Sequence, residues 1–570
     1  MAQNNKKKNN GVNQLLTLTS TSIPYSLYPI YAKPPVIEKG ERPTYTLDIS
    51  HLIPRYVRKD LENYGINLDL PQAQVFIKFN RSKNLYEYNL VEPMLTEHSF
   101  NAYTTLLSEI ERNLLSKSNY VELGKILTEL GENDPELNVF IDDDMTELSK
   151  PYKKAMYYIT RNLFGYNILT PLLLDTKLED ISINGINEPV YVYHQSYEYI
   201  PTNIIFEKRI ELFDRKIEGD KLLDELVLRF ISLTNKTISI ANPIMDGILP
   251  SGDRIAATFR REVSTKGSSL VIRRFTESPI TILDLINSNV LSSEVAAYLW
   301  YALDLRMPFM VIGVTGAGKT TLLGSLLNLV KESWKITTIE DIPELNIAQD
   351  NWVQLSARPV YGEMGKEVSL MDLLKLSLRY RPDMIVVGEI RGQEAYVLFQ
   401  AISTGHGGAT TFHAHDSKSA IARLINEPLN IPREWIPMMN LIINVRRIPL
   451  PVKGKIELRR RVFSIEEVVS VDDLRKTVRW DPADDRYITD YGSMEVLKQR
   501  AIEIGLTFDD VKYELERRTE FLKLLASSKQ ITNSKESYRL VKKYVIMYSG
   551  DPEGALKTVK KLNDNVMPKK

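Results

Sequence analysis

Apolar positions along the chain fall into stretches of different period. Phe309-Met310-Val311-Ile312 is a continuous apolar run of buried-strand type, and similar runs recur at 335–340, 384–388, 408–412 and 441–445. Helical stretches separate most of them; in one, Thr321 to Val330, leucines recur at helical spacing. This alternation predicts a mostly parallel sheet with helices on its faces. Upstream the pattern is mixed. Val75–Phe79 and Leu85–Val91 read as strands, and Phe100–Leu115 as a helix with Leu106, Leu107, Ile110 and Leu114 along one face. Further on, Ala155–Leu163 and Leu222–Thr234 read as helices, and Val190–His194, Arg254–Phe259 and Leu270–Phe275 as strands. From about 490 to 563 the chain is helical by period, charged and poor in glycine. The organisation expected is a flexible leader over 1–45, a small α+β domain over 46–140 and a second α+β domain over 141–278. A hinge linker over 279–289, an α/β core over 290–489 and a helical region over 490–570 complete it.

Composition narrows the picture by exclusion. The 73 basic and 73 acidic residues cancel, so no global field favours nucleic acid. The absence of cysteine excludes disulfides, thiolate zinc sites and cysteine nucleophiles. No stretch approaches the roughly 18 apolar residues of a membrane helix; Leu299–Ile312 comes nearest and is broken by Asp304 and Arg306. Met1–Asn10 is polar, carries Lys6, Lys7 and Lys8 and leads into no apolar core, which reads against a secretory signal. Tyrosine and proline recur from Pro24 to Pro43, as in a mobile leader or a docking arm.

The chemistry concentrates in the expected core. Gly313-Val314-Thr315-Gly316-Ala317-Gly318-Lys319-Thr320-Thr321 fits G-x-x-x-x-G-K-[ST], between a strand and a helix. Glycines let backbone N–H groups turn onto a phosphate, and the helix N-terminus adds the positive end of a dipole. Lys319 suits the β- and γ-phosphates and the Thr320 hydroxyl suits Mg²⁺. Downstream, Met384–Val387 runs into Gly388-Glu389, an apolar strand ending in a carboxylate that can hold Mg²⁺ through water or polarise the attacking water. Thr338–Glu344 places Glu340, Asp341 and Glu344 at a third strand end, where ligands of open α/β sheets bind. Ser403–Asp416 carries His406, His413 and His415. Strand alternation puts His413 and His415 on one face and leaves His406 across a glycine turn. That favours a γ-phosphate sensor or subunit-contact loop over zinc.

Together these segments resemble the type II/type IV secretion superfamily of hexameric ATPases, in its archaeal branch. The family's Walker A is matched at Gly313–Thr321, its Asp box at Thr338–Glu344, its Walker B at Gly388–Arg391 and its His box at Thr404–Ala414. The likeness is strong from 240 to 450 and weaker elsewhere from about 85 to 560; residues 1 to about 80 have no counterpart. It implies a RecA-like core, a preceding α+β (PAS-like) domain, an extra N-terminal region and a C-terminal helical region. ATP and Mg²⁺ would be held by Gly313, Thr315, Gly316, Ala317, Gly318, Lys319, Thr320 and Thr321, with Thr320 and Glu389 serving the metal. Glu389, helped by Glu340, would polarise water. Arg254 and Arg273, with Arg261 and Arg274 as alternatives, would act as arginine fingers, and His406 and His413 would couple phosphate state to domain position through the hinge. The partners implied are further copies in a homohexamer and a polytopic membrane platform protein, at the cytoplasmic face of the membrane and without direct nucleic acid. Pilus assembly or secretion ranks above the archaellum motor; a RecA-type nucleic-acid translocating motor is the reading from another class.

Overall fold

Each apolar run in the expected core becomes a strand, because short apolar runs bounded by polar turns are buried on both faces in a central sheet position. A computed structural model describes residues 29–564 apart from 31–32, 36, 38–40, 117–120, 214, 276–278, 359–366, 453–454, 533 and 535. Most of the expected leader lies outside the described residues. The chain divides into two compact units, 1–275 and 276–570.

In the first unit the strands are β1 (Tyr45–Leu47), β2 (Ala73–Asn80), β3 (Leu85–Val91), β4 (Leu178–Ile183), β5 (Pro189–His194), β6 (Glu198–Ile205), β7 (Arg209–Leu212), β8 (Arg215–Glu218), β9 (Ile244–Ile248), β10 (Arg254–Thr258) and β11 (Ser269–Arg273). β7 and β8 form a separate hairpin, and the other nine make one sheet in the order β1-β2-β3-β6-β5-β4-β11-β10-β9. The segments expected as separate domains on either side of 140 therefore share a sheet and one apolar core. Polar links also join them. Asn203 exchanges two hydrogen bonds of 2.8 Å with the backbone of Leu90 where β3 meets β6. The Asp175 carboxylate accepts the hydroxyls of Tyr45 and Tyr88 at 2.5 and 2.8 Å. Arg161, fully buried, donates to Glu92 at 2.7 Å and to the Ile30 carbonyl at 2.7 Å. Such pairings between residues far apart in sequence leave no local pattern to read.

The second unit is built on β12 (Phe309–Ile312), β13 (Ile336–Glu340), β14 (Trp352–Ser356), β15 (Met384–Val387), β16 (Gly407–Phe412), β17 (Leu441–Val452), β18 (Lys455–Val468), β19 (Leu474–Asp481) and β20 (Arg486–Thr489). Their order is β14-β13-β15-β16-β12-β17-β18-β19-β20. Every pairing from β14 through β17 is parallel, whereas β17 to β20 form an antiparallel meander. The pleat sorts the central strand between two cores. Phe309 and Val311 pack with helix Ser293–Asp304 and the C-terminal helices, while Met310 and Ile312 pack with helices Glu394–Ser403 and Ser417–Ile425. The segment expected as a hinge linker is largely structured within this unit. Thr281 and Asp284 form a capping box on helix Ile282–Asn287, and Ile282 and Leu283 are fully buried. Among the described residues no helix is long and apolar enough to cross a membrane.

Candidate nucleotide site

The site of the second unit begins where β12 ends. Loop 313–318 leads into helix Lys319–Leu327, so the residues named from sequence divide cleanly. Gly313, Thr315, Gly316, Ala317 and Gly318 form the loop; Lys319, Thr320 and Thr321 form the first helical turn. Two glycines are required for separate reasons. Gly318 is the helix N-cap at φ 97°, left-handed backbone that other residues adopt at a cost. At Gly313 a Cβ would lie 2.4 Å from the Val445 carbonyl oxygen of β17. The helix starts at Lys319, so its first N–H groups have no intrahelical acceptor and offer themselves to an anion.

Lys319 is 8% exposed and folds back over its own loop, donating to the Gly313 carbonyl at 3.1 Å. Its Nζ is also 3.5 Å from His413 Nδ1. Burial lowers the pKa of this amine, and the nearby Glu389 carboxylate partly offsets that. Glu389 follows β15 and is bracketed by an ion pair with Arg391 and by His413, whose Nε2 lies 2.9 Å from Oε1. That Oε1 is buried and receives no aligned hydrogen bond. His413, just beyond β16, is thus set between the lysine and the carboxylate. Burial, reinforced by the Lys319 charge, pushes its pKa below the ordinary value and favours the neutral ring.

Around this cluster the strand ends are cross-braced. Thr411 donates its hydroxyl to the Gly388 carbonyl at 2.7 Å. A Cβ at Gly388 would stand 3.0 Å from Glu340 Cγ, so a side chain there would press on Glu340. Glu340 itself is 3% exposed, and its Oε1 accepts the backbone N–H groups of Glu344 and Leu345 at 2.8 and 3.0 Å. It anchors the acidic loop, and burial raises its pKa. His406 turns back on its helix end, with Nδ1 3.2 Å from the Ala401 carbonyl oxygen and 3.1 Å from Thr404 Oγ1. His415 is exposed beside Asp416. Thus Lys319, Glu389 and His413 are brought into contact, whereas His406 contacts its own helix end and Glu340 its own loop and Gln354 of β14.

Arg254 and Arg273 belong to the first unit, directly opposite one another on neighbouring strands β10 and β11. Arg273 Nε lies 3.1 Å from Asp180 Oδ1. The alternatives are also in ion pairs, Arg261 with Asp220 at 3.7 Å and Arg274 with Asp253 at 3.6 Å. Arg460 of β18 was not singled out from the sequence, yet its Nε donates to the Gly316 carbonyl at 3.3 Å. In sequence it lies within a run of three arginines that reads as a solvated strand.

The residues present fit a nucleotide phosphate and Mg²⁺. Glycines clear the loop, an amine and a helix N-terminus supply positive charge, and a buried carboxylate oxygen is left without a donor. Lys319 and the loop would hold the phosphates; Thr320 and Glu389 would serve the metal, which adds charge neutralisation.

Comparison with known proteins assigns the family. The model of the family described as "Type II/IV secretion system protein" matches residues 191–443. An uncharacterized protein of Methanocaldococcus jannaschii is 37% identical over 393 residues, covering 67% of this chain and 68% of the relative. The conjugal transfer protein TrbB of Rhizobium radiobacter is 35% identical over 234 residues, covering 39% of this chain and 68% of the relative. The solved structure of the pilus retraction motor PilT with bound ADP aligns with 63% of this chain and 91% of its own, at 18% identity and a TM-score of 0.35. The chain belongs to the type II/IV secretion system protein family.

Proposed function

We propose that this chain is an ATPase of the secretion and pilus type. It acts as a homohexamer with a membrane platform protein at the cytoplasmic face of the membrane, and drives filament assembly or secretion. The observation that carries the enzymatic part is the contact of Lys319, His413 and Glu389 beside a glycine loop that opens a helix. Hydrolysis requires charge neutralisation on the γ-phosphoryl group and an oriented water. Lys319 and the helix N-terminus supply the first. Glu389 is the base for the second, and a neutral His413 beside it can donate its Nε2–H to Glu389 and withdraw it as Glu389 changes partners. Arg254 and Arg273, facing each other across one rung, are the candidates for further cationic assistance. The assembly and its membrane partner rest on family membership.

The decisive experiment is Glu389→Gln. Binding of a fluorescent ATP analogue should stay within about threefold, while steady-state phosphate release falls about 100-fold or more. Unchanged turnover would remove Glu389 from its role.

A further inference from the structure

The phosphate loop is held from outside by both strands of the β17–β18 ribbon. β17 presents the Val445 carbonyl against Gly313, and β18 presents Arg460 against Gly316 and Gly318. The Arg460 stem runs so close to Gly318 that a Cβ there would lie 3.2 Å from Arg460 Cδ. Its Nε holds the Gly316 carbonyl, the outward side of the loop whose inward N–H groups bind phosphate. Ribbon geometry explains why this side chain faces the loop. Arg461, next in sequence, is itself buried and points the opposite way into an ion pair with the half-exposed Asp485 at 2.7 Å, and successive strand residues alternate faces. Arg460 also stands directly opposite Arg447 on its rung. From 455 to 463, β18 pairs with β17 alone, so Arg460 lies on a rim rather than under a further strand.

We propose that Arg460 is a positioning residue for the nucleotide: it fixes the Gly316–Gly318 turn in its phosphate-binding shape and adds positive charge at the rim of the loop. The inference rests on the ATPase reading above and deepens it. The guanidinium fork explains the choice of arginine, since one edge can hold a carbonyl while the other remains directed to an anion. The sequence run Arg459-Arg460-Arg461 thereby resolves into an ion pair with Glu457, a loop clamp and an ion pair of the buried Arg461 with Asp485.

The test compares the wild-type chain with R460A and R460K, using a fluorescent ADP analogue for Kd, steady-state phosphate release for kcat and KM, and thermal unfolding without nucleotide. R460A should raise Kd and KM about tenfold, leave kcat within about threefold and leave the unfolding midpoint of the free protein unchanged. R460K, which keeps charge but not the fork, should fall between them. The wild-type affinity should also decline more steeply with salt than that of R460A. Wild-type binding with an unchanged R460A affinity overturns the role of Arg460 alone, as does an affinity loss that merely follows a lowered unfolding midpoint in both variants. A wild-type chain that binds no nucleotide overturns the phosphate-loop reading and this inference with it.

Discussion

At the scale of single residues, the chain places titratable groups where burial decides their charge. Burial lowers the pKa of both Lys319 and His413, and in each the Glu389 carboxylate works against that shift. His194 in the first unit shows the same effect away from the candidate site. It is 3% exposed, its Nδ1 accepts the Ser196 N–H at 3.0 Å, and burial lowers its pKa below 6.5. The unfolded chain therefore binds a proton more readily than the folded one. The stabilisation is complete above about pH 6.5 and is lost as pH falls below it. Protonation would also remove the acceptor that Ser196 uses. Hydrogen exchange corrected for intrinsic rate should show the amides of β5 opening more readily at pH 5.5 than at pH 7, and H194N should reduce that difference.

At the scale of elements, helix starts are written into the sequence and recur in the structure. Thr281 with Asp284, Ser369 with Asp372, Asp416 with Ser419 and Thr507 with Asp510 each form a capping box. The last of these opens helix Phe508–Ser527, whose Phe521 and Leu522 are fully buried in the core of the second unit. Thr507 is replaceable without disturbing that core, so T507A isolates the cap. Chemical denaturation should show a loss of about 1 kcal/mol for the second unit. Strands are less self-contained. β12, β13, β15, β16 and the first half of β17 were legible as apolar runs because parallel strands are buried on both faces. β18, β19 and β20 carry more charge and form the antiparallel meander, and β14 is a partly exposed edge strand, so one face can remain polar. Their alternation, as at Thr477-Val478-Arg479-Trp480, was a weaker but available signal.

At the scale of the molecule, each unit is closed by contacts distant in sequence. In the second unit the C-terminal helices share a core with the phosphate-loop face of the sheet and are fastened to it by two buried cations. Arg518 pairs with Asp304 at 2.7 Å and stacks on Trp300 at 4.3 Å. Lys542, 4% exposed, donates to the Val330 carbonyl at 2.6 Å and to Gln349 Oε1 at 2.5 Å. Gln349 in turn donates to the carbonyls of Lys331, Glu332 and Trp334, in the segment between the phosphate-loop helix and β13. Replacing Lys542 by Ala would leave a carbonyl and an amide oxygen buried without donors. Denaturation of the second unit should register a loss of roughly 2–4 kcal/mol, large for one residue of a helix so far from the loop in sequence.

The sequence by itself determined what depends on neighbours along the chain. The glycine loop between an apolar strand and a helix, the helix caps and the period of the C-terminal helices are of this kind. So is the carboxylate ending β15, because period, turn chemistry and motif spacing act over a few residues. Tertiary structure decided what depends on pairing across the chain. It joined the segments before and after 140 through Arg161 and Glu92, and set His413 between Lys319 and Glu389. It also turned one arginine of three toward the phosphate loop. Each of these is a contact between residues tens to hundreds of positions apart or a competition for a lone pair, and local sequence carries no term for either.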